Sequence, residues 1–219
     1  VASMVQEAHV EAEKGEWPDP AEVTNHTYCL TSSPVSVTEE PLEHGFSGQG
    51  CRELSYMEAT HEALAEMMEE DPTIFVMGEG IGARGGNFNT TTGLYDIHGA
   101  PRLCDTPISE RGFVGLGGGA AMTGSRPVID FMFADFVLDA VGELINQIAK
   151  MQYMSSGRIT MPILLRGCIG IGHSAATHHS GNYYPMYSQV PGLRVIVPST
   201  PYDAKGLMKT ALRCNDPVI

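Results

Sequence analysis

The stretch Asp105-Thr106-Pro107-Ile108-Ser109-Glu110-Arg111-Gly112-Phe113 joins a short strand signal ending near Asp105 to a run of small, helix-compatible residues from Gly112 to Thr123. Gly117-Gly118-Gly119 costs an isolated helix about 1 kcal/mol per glycine relative to alanine, so close packing against a neighbouring backbone or ligand is expected there. Glu110 stands at the start of that helix, where the macrodipole favours a carboxylate whatever its role. Upstream, Ser55-Tyr56-Met57-Glu58 matches a capping box and opens an acidic helix that Asp71-Pro72 must end. Thr73-Ile74-Phe75-Val76-Met77 reads as a buried strand and is followed by a loop containing Gly78, Gly80, Gly82, Gly85 and Gly86.

Downstream, Arg126-Pro127-Val128-Ile129-Asp130-Phe131 is another strand. Val137, Val141, Leu144, Ile148 and Met151 then recur at helical intervals along one face. Two later strands, Pro162 to Arg166 and Leu193 to Val197, are separated by a Gly-, His-, Ser- and Tyr-rich loop whose length marks it as functional. A final helix, Tyr202 to Arg213, precedes Asn215-Asp216-Pro217-Val218-Ile219, which reads as the beginning of a strand in a larger protein. Short strands alternating with helices predict an α/β fold, a mostly parallel sheet with helices on both faces. Sites in such sheets form at the carboxyl ends of strands. The loops after residues 77, 105, 131 and 166 leave at that edge, so Glu79, Glu110, Phe136 and His179 are expected to converge on one crevice.

Composition excludes several classes of function. Of the 219 residues, 42% are hydrophobic, enough for a full core, yet no run of 18 apolar residues appears. Val1 to Lys14 is acidic and amphipathic, without the basic-then-apolar pattern of a leader, which argues against membrane insertion and secretion. The net charge of −13 is concentrated: residues 1–72 carry 16 acidic and 2 basic side chains, and the rest is nearly neutral. With no basic stripe, nucleic acid is a poor partner. The five cysteines are scattered without a Cys-x-x-Cys pair, as suits a reducing cytoplasm. His173, His178 and His179 lack an Asp, Glu or Cys at a familiar ligand spacing, so no metal site is expected. The glycine cluster lacks the Gly-Lys-Ser/Thr ending of a phosphate loop.

Asp105 to Gly124, together with Phe131-Met132-Phe133-Ala134-Asp135-Phe136 and Pro198 to Leu207, resembles the beta subunits of thiamine-dependent 2-oxo acid dehydrogenases. These are the decarboxylating components of the pyruvate, branched-chain and acetoin dehydrogenases, and the resemblance runs from about Leu54 to Ile219. It implies the transketolase-like pyrimidine-binding fold and an oxidative decarboxylation with acyl transfer to a lipoyl carrier. It implies as well that Glu110, matching the glutamate of the Ile-Ser-Glu motif, hydrogen-bonds a ring nitrogen of the cofactor's aminopyrimidine and so activates the thiazolium carbon. A carboxyl held partly dry has its neutral form favoured, which suits proton sharing with that nitrogen. Phe136 falls where the family places an aromatic ring against the aminopyrimidine, although a phenylalanine opening an amphipathic helix serves a core equally well. Glu79 is similar to a family acid near the cofactor, and otherwise is a solvated loop carboxylate. His179 matches a loop histidine near thiazolium and substrate that exchanges protons near neutral pH, its alternative being a surface histidine. Here the chain departs from the pattern, with His178 in place of a glutamine and Gly181-Asn182 after Ser180.

The resemblance names thiamine diphosphate and Mg2+ as cofactors, held mainly by a partner, because the family's Gly-Asp-Gly motif is missing from these residues. That partner is an alpha subunit or pyrophosphate-binding domain, with a lipoyl acyltransferase receiving the acyl group within a homo- or hetero-oligomer. Glu16 to Tyr28 resembles the end of the family's alpha subunit, which would make the chain part of a fused alpha-beta polypeptide. The expected organisation is an extension over 1–29, a flexible linker over 30–50 and the pyrimidine-binding domain over 51–219, truncated at its C-terminal end. The expected compartment is the cytoplasm, or the mitochondrial matrix in a eukaryote. Met132 to Phe136 and Asn146 to Lys150 look more like acetoin-type and branched-chain relatives than pyruvate ones. Two alternatives share the fold: transketolase-like ketol transfer, which needs basic or histidine contacts to a sugar phosphate, and a non-catalytic interaction domain, which has no reason to keep Glu110.

Overall fold

The computed structural model describes residues 1–29, 52–172 and 174–219. The expected linker over 30–50, Cys51 and His173 lie outside the described residues. The chain opens with α1 (Ala2–Glu13), which buries none of its residues. A single 3-10 turn, Pro20–Glu22, follows, with Asp19 capping the Ala21 N–H at 2.8 Å. Further on, the Cys29 N–H donates to Asp216 Oδ1 at 2.6 Å and the Arg194 guanidinium stands 4.8 Å over the Tyr28 ring.

The capping box forms as expected. Ser55 Oγ accepts from the Glu58 N–H at 3.3 Å, and Glu58 Oε2 accepts from the Ser55 N–H at 2.7 Å. They start α2 (Tyr56–Glu70), which buries Ala59, Ala63, Leu64, Met67 and Met68 before Asp71 ends it. Strand β1 (Ile74–Gly78) is followed by the glycine loop, α3 (Leu94–His98), β2 (Leu103–Asp105), α4 (Glu110–Met122) and β3 (Arg126–Phe133). Then come α5 (Ala149–Met154), β4 (Leu164–Cys168), α6 (Tyr184–Ser188) and α7 (Pro201–Arg213). The four strands pair in parallel in the order β2-β1-β3-β4.

Alternation along the strands divides the core in two, since successive side chains point to opposite faces. Met77, Ile129, Phe131, Ile163 and Leu165 pack with Val114, Leu144 and Ile148 on one face. Ile74, Val76, Val128 and Leu164 pack with Leu64, Met68, Met208 and Leu212 of α2 and α7 on the other. The expected α/β sheet with both faces covered is therefore the observed one. Two glycines of the α4 triplet are packed as their cost predicted: a Cβ at Gly117 would stand 2.7 Å from Ile129 Cδ1, and one at Gly118 would stand 3.1 Å from Ile148 Cγ1, whereas one at Gly119 would meet nothing within 4 Å, so the expectation fails there. Glu62 and Glu66 of α2 bond Lys205 of α7 at 2.9 and 2.7 Å, and Glu70 bonds Arg213 at 2.8 Å. Arg52 and Lys205 hold the Glu62 carboxyl down at about 2.

Two expectations are corrected. The segment read as one helix from Val137 to Met151 winds as a 3-10 helix over Ala134–Ala140, a π-helix over Gly142–Ile148 and then α5. Its apolar spacing averages between three and four, which buries Val137, Leu144 and Ile148 without specifying the winding. Leu193 to Val197 forms no named strand. It makes one parallel bridge, Arg194 to Val218, with Ile196 N–H donating to Ile219 O at 2.8 Å. On its other side Val218 bridges Leu164, so residues 217–219 lie between β4 and 194–196.

Candidate active site

Glu110 is the first residue of α4 and is 8% exposed. Its helix begins shortly beyond the carboxyl end of β2, so Glu110 stands in the first turn of α4, where the helix dipole favours a carboxylate. Glu79 follows β1 by one residue. Burial, and after it the charge of Glu110, push the Glu79 carboxyl above its usual range, which puts the two carboxyls within electrostatic reach. The Thr106 N–H donates to Gly78 O at 3.0 Å and ties the two strand ends together. The buried Thr106 hydroxyl oxygen has no hydrogen-bond partner in the structure.

A second pair forms beyond β3 and β4. Phe136, in the 3-10 helix after β3, is half-buried, and its ring is perpendicular to the His179 imidazole at 5.5 Å between centroids. His179 closes a short 3-10 turn, Thr177–His179. Its loop is attached to the 3-10 helix through the Gly181 N–H, which donates to Asp135 Oδ1 at 3.1 Å. The structure thus brings Glu79 to Glu110 and Phe136 to His179, all four on segments that leave the carboxyl ends of the strands. His178, next to His179, is exposed.

Several neighbours were not singled out from sequence. The Phe133 ring stands 4.9 Å from His179 and 6.0 Å from Phe136, and Phe88 stands 5.3 Å from Phe133. Aromatic crowding between Phe131 and Phe136 was the available signal, yet in a regular strand Phe133 would share the core-facing side of Phe131. Asp130 braces this edge, accepting from Arg166 Nη2 at 2.7 Å and from the Met132 N–H at 3.0 Å. At Cys168, the end of β4, burial, with Asp130 nearby, pushes the thiol up to about 11.

An apolar cavity of about 480 Å³ lies beside this edge, bounded by Leu165 to Ile169 of the β4 segment, by Val195 to Pro198, and by Phe88, Thr90, Asp130 and Met132. Glu79, Glu110, Phe136 and His179 do not line it. Among the described residues no three His, Cys, Asp or Glu side chains are grouped to hold a metal ion. Nor is any helix among them long and apolar enough to cross a membrane.

Residues 52–219 match the family described as the transketolase pyrimidine-binding domain. The chain is 44% identical over 166 residues to the 2-oxoisovalerate dehydrogenase subunit beta of Bacillus subtilis, covering 76% of this chain and 51% of that one. It is 44% identical over 168 residues to the mitochondrial pyruvate dehydrogenase E1 component subunit beta-1 of Oryza sativa subsp. japonica, covering 77% and 45%. Similarity to the pyruvate dehydrogenase E1 component subunit beta of Rhizobium meliloti is 45% over 166 residues, covering 76% and 36%. The chain therefore spans about half the length, or less, of these curated relatives. A solved structure titled split gene transketolase, inactive beta4 tetramer, superposes with a TM-score of 0.59 at 21% identity, covering 76% of this chain and 50% of that one, and shares the fold. With the family matched across the whole sheet and the carboxyl-edge site, this chain belongs to the transketolase pyrimidine-binding domain family.

Proposed function

We propose that this chain is the aminopyrimidine-binding half of a thiamine diphosphate-dependent 2-oxo acid dehydrogenase, a beta subunit or beta region that works with an alpha partner. The observation that carries the proposal is the Glu110 carboxyl, 8% exposed at the head of α4 with the Glu79 carboxyl as its neighbour. Similarity to beta subunits named for 2-oxoisovalerate and pyruvate dehydrogenases supports the same reaction class.

The residues fit an aminopyrimidine. A nearly buried carboxyl can meet a ring nitrogen, the buried Thr106 hydroxyl has no protein partner, and Phe136 offers an aromatic face. When bound, thiamine diphosphate supplies the nucleophilic carbon and the electron sink for decarboxylation. Glu110 shares a proton with the ring nitrogen and so fixes the tautomer. Glu79, whose carboxyl is pushed up by burial and by the charge of Glu110, lies at the neighbouring strand end. His179 gives or takes a proton at the substrate side, and Phe136 excludes water from the ring it covers.

The diphosphate and Mg2+ belong to the partner, an alpha subunit or pyrophosphate-binding domain, and the acyl group passes to a lipoyl acyltransferase. Residues 1–29 are the end of an alpha region in a fused chain, with residues 30–50 the linker and 51–219 the pyrimidine-binding domain. Such an assembly works in the cytoplasm or the mitochondrial matrix. The test is the assembled enzyme with thiamine diphosphate and Mg2+, assayed by dye reduction with pyruvate, branched 2-oxo acids and acetoin. Glu110→Gln and Glu110→Ala abolish turnover while the fold and assembly persist. Retained turnover in a correctly assembled Glu110→Ala enzyme sinks the proposal.

A further inference from the structure

We infer that Phe133 and Asp135 are positioning residues that hold the His179 imidazole at the carboxyl edge of the sheet. The inference rests on the proton-transfer role given to His179 above.

The hold begins with a break in β3. Its pairing with β4 shifts register between Asp130 and Phe133, and Met132 takes a left-handed backbone with φ 59°. A side chain without glycine's freedom is strained there, so something must secure it. Asp130 does so, its Oδ1 accepting from the Met132 N–H while Oδ2 is bound by Arg166 and, at 3.2 Å, by the Thr90 hydroxyl. A bulge re-aims the side chain that follows it. That side chain is Phe133, whose ring crosses the His179 imidazole at 4.9 Å and 75° instead of joining Phe131 in the core.

The chain then enters the 3-10 helix at Ala134, and three residues per turn bring Phe136 round to the side of Phe133. His179 therefore meets two rings at steep angles, 75° and 87°. Between these two phenylalanines in sequence, Asp135 holds the backbone two residues beyond the histidine. Both its carboxylate oxygens lie within reach of the Gly181 N–H, at 3.1 and 3.3 Å. Gly181 is required for this approach, since a Cβ there would strike Asp135 Oδ1 and the Tyr183 ring. Among the described residues no side chain hydrogen-bonds the His179 ring apart from these ring contacts, so its orientation depends on the two aromatic walls and the pinned backbone. Proton transfer needs donor and acceptor in fixed alignment, so a loosened imidazole loses rate before it loses substrate affinity.

The experiment uses the complete alpha-beta assembly and reads the accessibility of His179 directly. Diethyl pyrocarbonate modification of His179 is followed by peptide mass spectrometry and normalised to the exposed His9, alongside kcat and KM. Phe133→Leu, by losing an aromatic contact, raises the His179 modification rate about fivefold. Asp135→Ala raises it as well, and in both variants kcat falls about tenfold or more with KM little changed. Asp135→Asn keeps an oxygen for the Gly181 N–H and restores both values, which a general loss of fold would not allow. Unchanged His179 modification in Phe133→Leu and Asp135→Ala overturns the inference. A His179→Ala enzyme with full turnover refutes the proton-transfer role instead, while the modification rates still decide the hold.

Discussion

Asp130→Ala removes the acceptor of four hydrogen bonds in one step. Arg166 Nε and Nη2 donate to its Oδ2 at 3.0 and 2.7 Å, Thr90 Oγ1 donates at 3.2 Å, and the Met132 N–H donates to Oδ1 at 3.0 Å. The Asp130 side chain is 8% exposed and that of Arg166 is 16% exposed, so the variant leaves a mostly buried guanidinium without its counter-charge. Breaking a buried pair from one side costs about 3–5 kcal/mol, and the residual exposure of Arg166 places this case at about 3. In a chain of this size each kcal/mol moves the melting temperature by about 2–4 °C, so a fall of about 6–12 °C is expected. Urea unfolding followed by circular dichroism gives the free energy independently. Asp130→Leu combined with Arg166→Met removes both charges and recovers most of the loss, because apolar groups of similar volume replace an ion pair at little cost. The double variant does not recover the acceptor for Met132, so His179 remains more reactive than in the wild type. An Asp130→Ala loss below about 1 kcal/mol would show that the pair is solvated and that β3 keeps its bulge without it.

The raised carboxyl of Glu79 gives a pH signature. A carboxylate whose folded-state value lies above its unfolded value favours the fold fully below the unfolded range and loses that contribution as pH rises through the folded value. Glu79→Gln should therefore raise the melting temperature at pH 7 to 8 and converge on the wild type at the acid end. A gain that is the same at every pH refutes the burial and Glu110 causes. Two glycines of α4 should respond with opposite sign. Gly115→Ala meets nothing within 4 Å and stabilises by about 0.5–1 kcal/mol, whereas Gly117→Ala drives into Ile129 and costs about 1–3 kcal/mol of strain, more than the helix gains. Paired urea melts check both, and equal gains would mean that Ile129 moves freely.

Amino-acid sequence by itself determined the parallel α/β order, the capping box that starts α2, the tight seat of Gly117 and Gly118, and the place of Glu110 at a helix head. Each follows from local chemistry: a capping box is four residues long, a strand's burial is written in its apolar run, and glycines at a helix face let a neighbouring side chain come close. Tertiary structure decided the winding after β3, because intervals of three and four residues suit 3-10, α and π geometry alike. It also decided that Leu193 to Val197 makes a single bridge, since a strand exists only where a partner's backbone lies alongside it. The electrostatic influence of Glu110 on Glu79 joins residues 31 positions apart, and the ring contact of Phe133 with His179 joins residues 46 apart. No periodicity spans such separations. Sequence could name Glu110, Phe136 and His179 one by one, but the bulge at Met132 that turns Phe133 out of the core arises from Asp130 meeting Arg166 across two strands.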